Sequence, residues 1–151
     1  MPRSELPLRV VADTNTVISG LLWHGNPRRV LDAAREGRFQ LYTSAALLTE
    51  VDEVLQRPKF AQRLSLAGVS SRTLVLGYAA LALLIEPAAI APVITEDPDD
   101  DAVLACAVAA RAEAIVSGDS HLLELENYEG IPILTVAQLL ARLKTEPSED
   151  T

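Results

Sequence analysis

Short aliphatic runs without polar alternation, each followed by a stretch with helix signals, constrain this chain more than any other feature. Residues 8–12, LRVVA, are rich in valine and closed by Asp13, as expected of a central strand buried on both faces. Phe39 to Thr43, AIVS at 114–117 and Ile131 to Leu134 read as further strands. Between them lie helices. One starts at about Thr16, and a second opens on Asn26 and Pro27, runs through RRVLDAAREG and stops at Gly37. Ser44 caps a third that ends near Arg57, where Pro58 restarts the chain. Pro58 to Ile85 predicts two helices separated near Gly68 to Ser71, and the proline-broken connection from Glu86 to Thr95 has room for a short strand. Asp97 and Pro98 open a helix reaching about Ala112, GDSHLLEL turns into a short helix, and Val136 to Leu143 is the last.

Strands alternating with helices imply parallel pairing through right-handed crossovers. The expected architecture is a three-layer α/β/α sandwich around a central, mainly parallel sheet of four to five strands. The chain has 151 residues, enough for one core, and is 49% hydrophobic but only 4% aromatic, so that core must be aliphatic. Residues 8–143 form the expected domain, with an arm at 1–7 and an acidic tail at 144–151 expected to be disordered.

The lone Cys106 lies in the apolar stretch AVLACAVAA and is expected to be a buried hydrophobe in a reducing compartment. The first apolar run is interrupted by Arg9, Asp13 and Asn15, unlike a signal peptide, so a cytoplasmic location is expected. Leu74 to Ile85 is too short for a bilayer and reads as a buried helix; no membrane association is expected. A net charge of −8 argues against a general basic surface for nucleic acid. Any such contact must be local, through Arg28, Arg29, Arg35 and Arg38 or through Arg57, Lys59 and Arg63, both of which also read as ordinary solvated helix faces.

Carboxylates carry the chemistry. In parallel α/β sheets, ligands bind beyond the carboxyl ends of the strands where strand order reverses. Asp13 directly follows the first strand and Asp119 follows AIVS by one glycine. On the helix of residues 44–57, Glu50 and Asp52 each lie roughly 40° off opposite rims of the apolar face, so spacing does not choose between them. In EDPDDDAVLACA, Asp97 is a natural N-cap and Asp99 and Asp100 complement the helix dipole. Asp101 gains less from the dipole and introduces a stretch that must be buried, so its carboxylate needs a partner, for which a cation is a good candidate. An all-oxygen set favours Mg²⁺ or Mn²⁺ over zinc, and His24 and His121, isolated in sequence, read as ordinary polar residues. Such a site suits phosphodiester hydrolysis.

The segments VADTNTVISGLL, LLTEVDEVL, EDPDDDAVLACAVAARAEAIVSGDSHLL and PILTVAQLL, in this order, resemble PIN-domain proteins over about residues 8 to 143. The bacterial and archaeal toxin components of toxin–antitoxin pairs are the most similar branch. That resemblance implies a Mg²⁺- or Mn²⁺-dependent endoribonuclease acting on single-stranded RNA, restrained by a small antitoxin protein and often homodimeric. It implies Asp13, Glu50, Asp101 and Asp119 as catalytic metal-binding acids, supported by Asn15 and Ser117. Arg28 and Arg29, from their local positive charge, and His121 are candidate RNA contacts. Two departures stand out. His121 occupies a place where the family often carries a further acid, and Asp99 and Asp100 leave the third acid open by one position, Asp101 being preferred because it directly precedes AVLACA.

Two other readings compete. An aspartyl-phosphate phosphatase also places an aspartate after its first strand, but its D-x-D pattern would need an acid where Asn15 stands. A non-catalytic binding module could keep the fold, although four intact acids count against decay.

Overall fold

Val10 and Val11, adjacent in the first strand, are both fully buried, which requires helices on each face of the sheet. The computed structural model describes residues 8–94 and 98–145 and shows that arrangement. Strands are β1 (Leu8–Ala12), β2 (Phe39–Thr43), β3 (Leu83–Leu84), β4 (Ala114–Val116), β5 (Asn127–Tyr128) and β6 (Ile131–Leu134). Helices are α1 (Thr14–Leu22), α2 (Asn26–Arg35), α3 (Ala45–Leu55), α4 (Pro58–Ala67), α5 (Ser71–Leu81), α6 (Pro98–Ala110), α7 (Ser120–Leu125) and α8 (Val136–Thr145). The sheet has six strands in the order β3-β2-β1-β4-β6-β5, and only β5 runs antiparallel to its neighbour.

The α/β sandwich is therefore as expected, with one strand more than the upper expectation and two more than the four strands read individually. Both additions sit at sheet edges and are two residues long, too short to leave a periodic signal. The short strand allowed for in residues 86–95 lies just ahead of them, at Leu83–Leu84, and Ile85 continues the pairing by donating to the Thr43 carbonyl at 2.9 Å. Strand β5 forms a hairpin with β6 through Glu129 and Gly130, whose φ values of 51° and 82° suit a two-residue turn. Asp97, expected to cap α6, lies outside the described residues, as do the arm at 1–7 and residues 146–151.

Alternation along the central strands divides the core in two. Val10, Ala12, Ala114 and Val116 face one side with residues of α1, α2 and α8, while Val11 and Ile115 face the other with Val103, Leu104, Ala107 and Leu122 of α6 and α7. Cys106 is fully buried in the second cluster, where burial pushes its thiol up to about 12 and keeps it a neutral hydrophobe. Helix α5 departs from expectation. Only Tyr78 of it is fully buried, while Leu76 is 55% exposed, because α5 packs from the sheet edge against α3 and has no layer outside it. No single helix among the described residues is long and apolar enough to cross a membrane.

Close approach of α1 and α2 hangs on Gly20. A Cβ there would stand 2.7 Å from Leu31 Cδ1 and 2.9 Å from the Pro27 carbonyl oxygen. Gly20→Ala is therefore expected to destabilise the fold by about 1–3 kcal/mol, against the usual helical preference for alanine. Urea denaturation measures it, and a variant as stable as the parent would show that the two helices separate at no cost.

Candidate metal centre

From β1 the chain builds outward through β2 and β3, then returns to place β4 and β6 on the other side, so strand order reverses between β1 and β4. Asp13 and Asp119 follow these two neighbouring strands at their carboxyl ends. A backbone bond from the Asp13 amide to the Val116 carbonyl, 3.1 Å, fixes the junction. Both aspartates are N-caps: Asp13 Oδ1 accepts from the Thr16 amide at 2.9 Å, and Asp119 Oδ1 from the His121 amide at 2.7 Å and the Leu122 amide at 3.3 Å. Ser117 ties them together. Its fully buried hydroxyl donates to Asp13 Oδ2 at 2.6 Å and accepts from the Asp119 amide at 2.9 Å.

Helix α3 supplies Glu50, half-buried, whose Oε1 accepts from the Thr14 hydroxyl on the first turn of α1. Asp52 turns the other way, accepting from Gln56 at 2.8 Å and from Ser71 of α5 at 3.1 Å. The helix rim that spacing left open is thus occupied by a packing contact at Asp52, and Glu50 faces α1.

Helix α6 distributes its acids differently from expectation. The Asp101 carboxylate accepts from the backbone amides of Ile94 at 2.8 Å and Val93 at 3.1 Å, so the partner it requires is the incoming connection. Asp100 is the buried one, 6% exposed, and lies in the helical stripe of Val103, Leu104 and Ala107. Its carboxylate, that of Asp119 and the imidazole of His121 offer ligand atoms all within 4.8 Å of one another. His121 Nδ1 stands 3.8 Å from Asp119 Oδ1. Asp13 and Glu50 are outside this triplet; Ser117 links Asp13 to the Asp119 backbone, and Thr14, next to Asp13, bonds Glu50.

The donor set suits a divalent cation. Asp100 makes other interactions, yet its Oδ2 is buried with no hydrogen bond among the described residues, and it sits beside Asp119 and an imidazole. Carboxylate oxygens take Mg²⁺ and Mn²⁺ readily, and one nitrogen ligand is better tolerated by Mn²⁺. Beneath the site, Tyr78 reaches in from α5. Burial, with Cys106 and Asp13 nearby adding to it, holds its phenol well above the ordinary range, so it can donate a proton to a hydrogen bond but not act as a base.

Sequence reasoning did not single out Thr14, left Asp100 as an alternative to the preferred Asp101, and read His121 as isolated although its imidazole meets Asp100 and Asp119. The stripe Asp100, Val103, Leu104, Ala107 was a readable signal for Asp100, obscured because α6 is apolar almost all round. Asn15 is exposed on α1. Arg28 is committed to structure, its guanidinium donating to the carbonyls of Gly20 at 2.8 Å and Leu21 at 3.4 Å, whereas Arg29 is exposed.

Comparison with known proteins identifies the family. The family described as PIN domain matches residues 9–121, a span that holds every acid named above. An uncharacterized protein of Methanocaldococcus jannaschii is 29% identical over 126 residues, which cover 82% of this chain and 78% of that protein. The PIN domain of RRP44 from T. brucei is similar in structure with a TM-score of 0.46 at 20% identity, over 93% of this chain and 83% of that one.

Proposed function

The chain belongs to the PIN domain family, whose members are generally nucleases using divalent metal ions, and from that premise we propose that it is a metal-dependent endoribonuclease hydrolysing single-stranded RNA. The observation that carries the proposal is the convergence of Asp100, Asp119 and His121 at the switch point of the sheet, beside Asp13. Asp100, Asp119 and His121 would hold the ion, with Asp13 and Glu50 adjacent; we assign the α6 position to Asp100 because Asp101 is bound to backbone amides. A divalent ion bound there supplies phosphate polarisation and a water acidic enough to attack at neutral pH.

This chain's own residues arrange the site. Ser117 holds the Asp13 carboxylate and the Asp119 backbone in one orientation. Thr14 aims Glu50 toward the same sheet edge, where its carboxylate can accept a proton from an attacking water. A phospho-enzyme route in the D-x-D manner would lack its general acid, since Asn15 occupies the second position. Purified protein is expected to cleave single-stranded RNA with Mg²⁺ or Mn²⁺, to be silent in excess chelator and to leave 5′-phosphate ends. Cleavage that persists in chelator, or cyclic phosphate ends, would contradict the metal mechanism.

The proposal extends to a toxin restrained by a small antitoxin protein, acting in the cytoplasm as a homodimer. A short reading frame immediately upstream, whose product binds this protein and suppresses cleavage, is the expected finding. A chain whose expression leaves growth untouched, and whose neighbouring frame has no effect on cleavage, would remove the toxin role while leaving the nuclease intact.

A further inference from the structure

Asp13 caps one end of α1 and Trp23, the chain's one tryptophan, caps the other, roughly 15 Å away at ~1.5 Å per residue. Trp23 is 40% exposed. Its ring meets Phe60 of α4 edge-on, with centroids 5.9 Å apart and planes at 69°. Two cations complete the cluster. The Arg63 guanidinium lies 5.0 Å from the Trp23 centroid, anchored by a 2.9 Å bond from Nη2 to the Leu22 carbonyl, and Lys59 Nζ lies 5.1 Å from the Phe60 centroid. Charge distribution sets this surface apart from the rest of an acidic protein. Between Glu53 and Glu86 there is no acidic residue, while Arg57, Lys59, Arg63 and Arg72 all fall there, in a chain of net charge −8.

The Trp23 ring is exposed and Phe60 half-buried beside it, and an aromatic surface flanked by cations is one on which unpaired bases stack while phosphates pair with lysine and arginine. We propose that Trp23, Phe60, Lys59 and Arg63 are a stacking platform for single-stranded RNA whose strand crosses the metal centre at the other end of α1. The intervening length corresponds to about four stacked nucleotides at ~3.4 Å each. Identifying the strand as RNA rests on the nuclease reading above; the platform itself rests on the aromatic and basic cluster. Duplex nucleic acid hides its base faces and gains nothing from the rings, so the platform selects unpaired strands.

Titration of the full-length protein in chelator with a short single-stranded oligouridylate tests this without any cleavage. Trp23 fluorescence is expected to be quenched saturably, and the same length of duplex to leave it unchanged. Lys59→Gln is expected to weaken binding and to lower the slope of log affinity against log salt by about 0.7, the share of one phosphate contact on a single strand. Trp23→Leu, checked by thermal melting for an intact fold, is expected to raise the KM for RNA cleavage about tenfold with a much smaller change in kcat. Equal quenching by duplex, or an unmoved Trp23 signal together with an unchanged KM in Trp23→Leu, would overturn the platform even in an active nuclease. The second pattern is also what a protein-docking surface would give. Quenching by the single strand in a protein that cleaves no RNA would uphold the platform and refute the nuclease reading.

Discussion

Asp119→Asn and Asp100→Asn are each expected to lower kcat/KM for RNA cleavage by at least about a hundredfold, beyond the ~10–100-fold usual for residues that merely support a metal ligand. Asp13→Asn and Glu50→Gln are expected to fall in the same class, because Asp13 stands at the end of β1 and Glu50 reaches from α3 to its neighbour Thr14. Ser117→Ala belongs to the supporting range: it leaves every acid in place but unties Asp13 from the Asp119 loop. Asp101 is the discriminating position. With both its oxygens on the amides of Val93 and Ile94, Asp101→Ala is expected to cost about 1–3 kcal/mol of stability, while activity per folded molecule changes only a few-fold. Asp52→Asn is expected to behave likewise, since that carboxylate serves the contact between α3 and α5. Initial rates on a labelled RNA, paired with melts in chelator, separate the classes. If Asp101→Asn were as damaging as Asp119→Asn with its melting temperature unchanged, the α6 ligand would be Asp101 after all.

Adding Mn²⁺ or Mg²⁺ is expected to raise the melting temperature, because binding favours the native state alone. At a metal concentration of about 100 Kd the gain is roughly 2.7 kcal/mol, or about 5–10 °C for a chain of this size. Capping geometry refines what the variants do. Asp119 and Asp13 both cap helices, and asparagine caps about as well as aspartate. Asp119→Asn thus keeps the cap while removing one of several crowded negative charges. It is expected to melt slightly above the parent in chelator, by the order of 1 kcal/mol, and to lose most of the gain from Mn²⁺. Asp119→Ala loses cap and charge together, so it is expected to melt below Asp119→Asn by about 1 kcal/mol and to be equally indifferent to metal. Melts of the parent, Asp119→Asn and Asp119→Ala, each with chelator and with Mn²⁺, carry the comparison. An Asp119→Asn variant that gains as much from Mn²⁺ as the parent would refute the shared metal site.

Much of this protein was already legible in its residues. Unalternated runs such as LRVVA and AIV can be satisfied only between two helical layers, so the sandwich followed from burial on both faces, and the carboxylates after β1 and β4 followed from where a parallel sheet ends. Helix starts at Pro58 and Ser44 were visible for the same local reason, a fixed φ in one case and a side-chain cap in the other. Tertiary structure decided what depends on direction. Glu50 and Asp52 are symmetric about one helix face, and only the arrival of α1 on one side and α5 on the other distinguishes them. Asp100 and Asp101 are separated by a single step of ~100°, which sends one carboxylate toward Asp119 and the other onto the backbone of a connection with no regular pattern. His121 looked isolated because its neighbours in space, Asp119 apart, come from α6, far away in the chain. The edge strands β3 and β5 owe their existence to a partner already in place, since two residues carry no periodicity of their own. Local chemistry determines which elements form and where they stop; which of two adjacent carboxylates meets the site is set by the rotation of a helix against its neighbours, which a chain apolar on nearly every side of that helix does not encode.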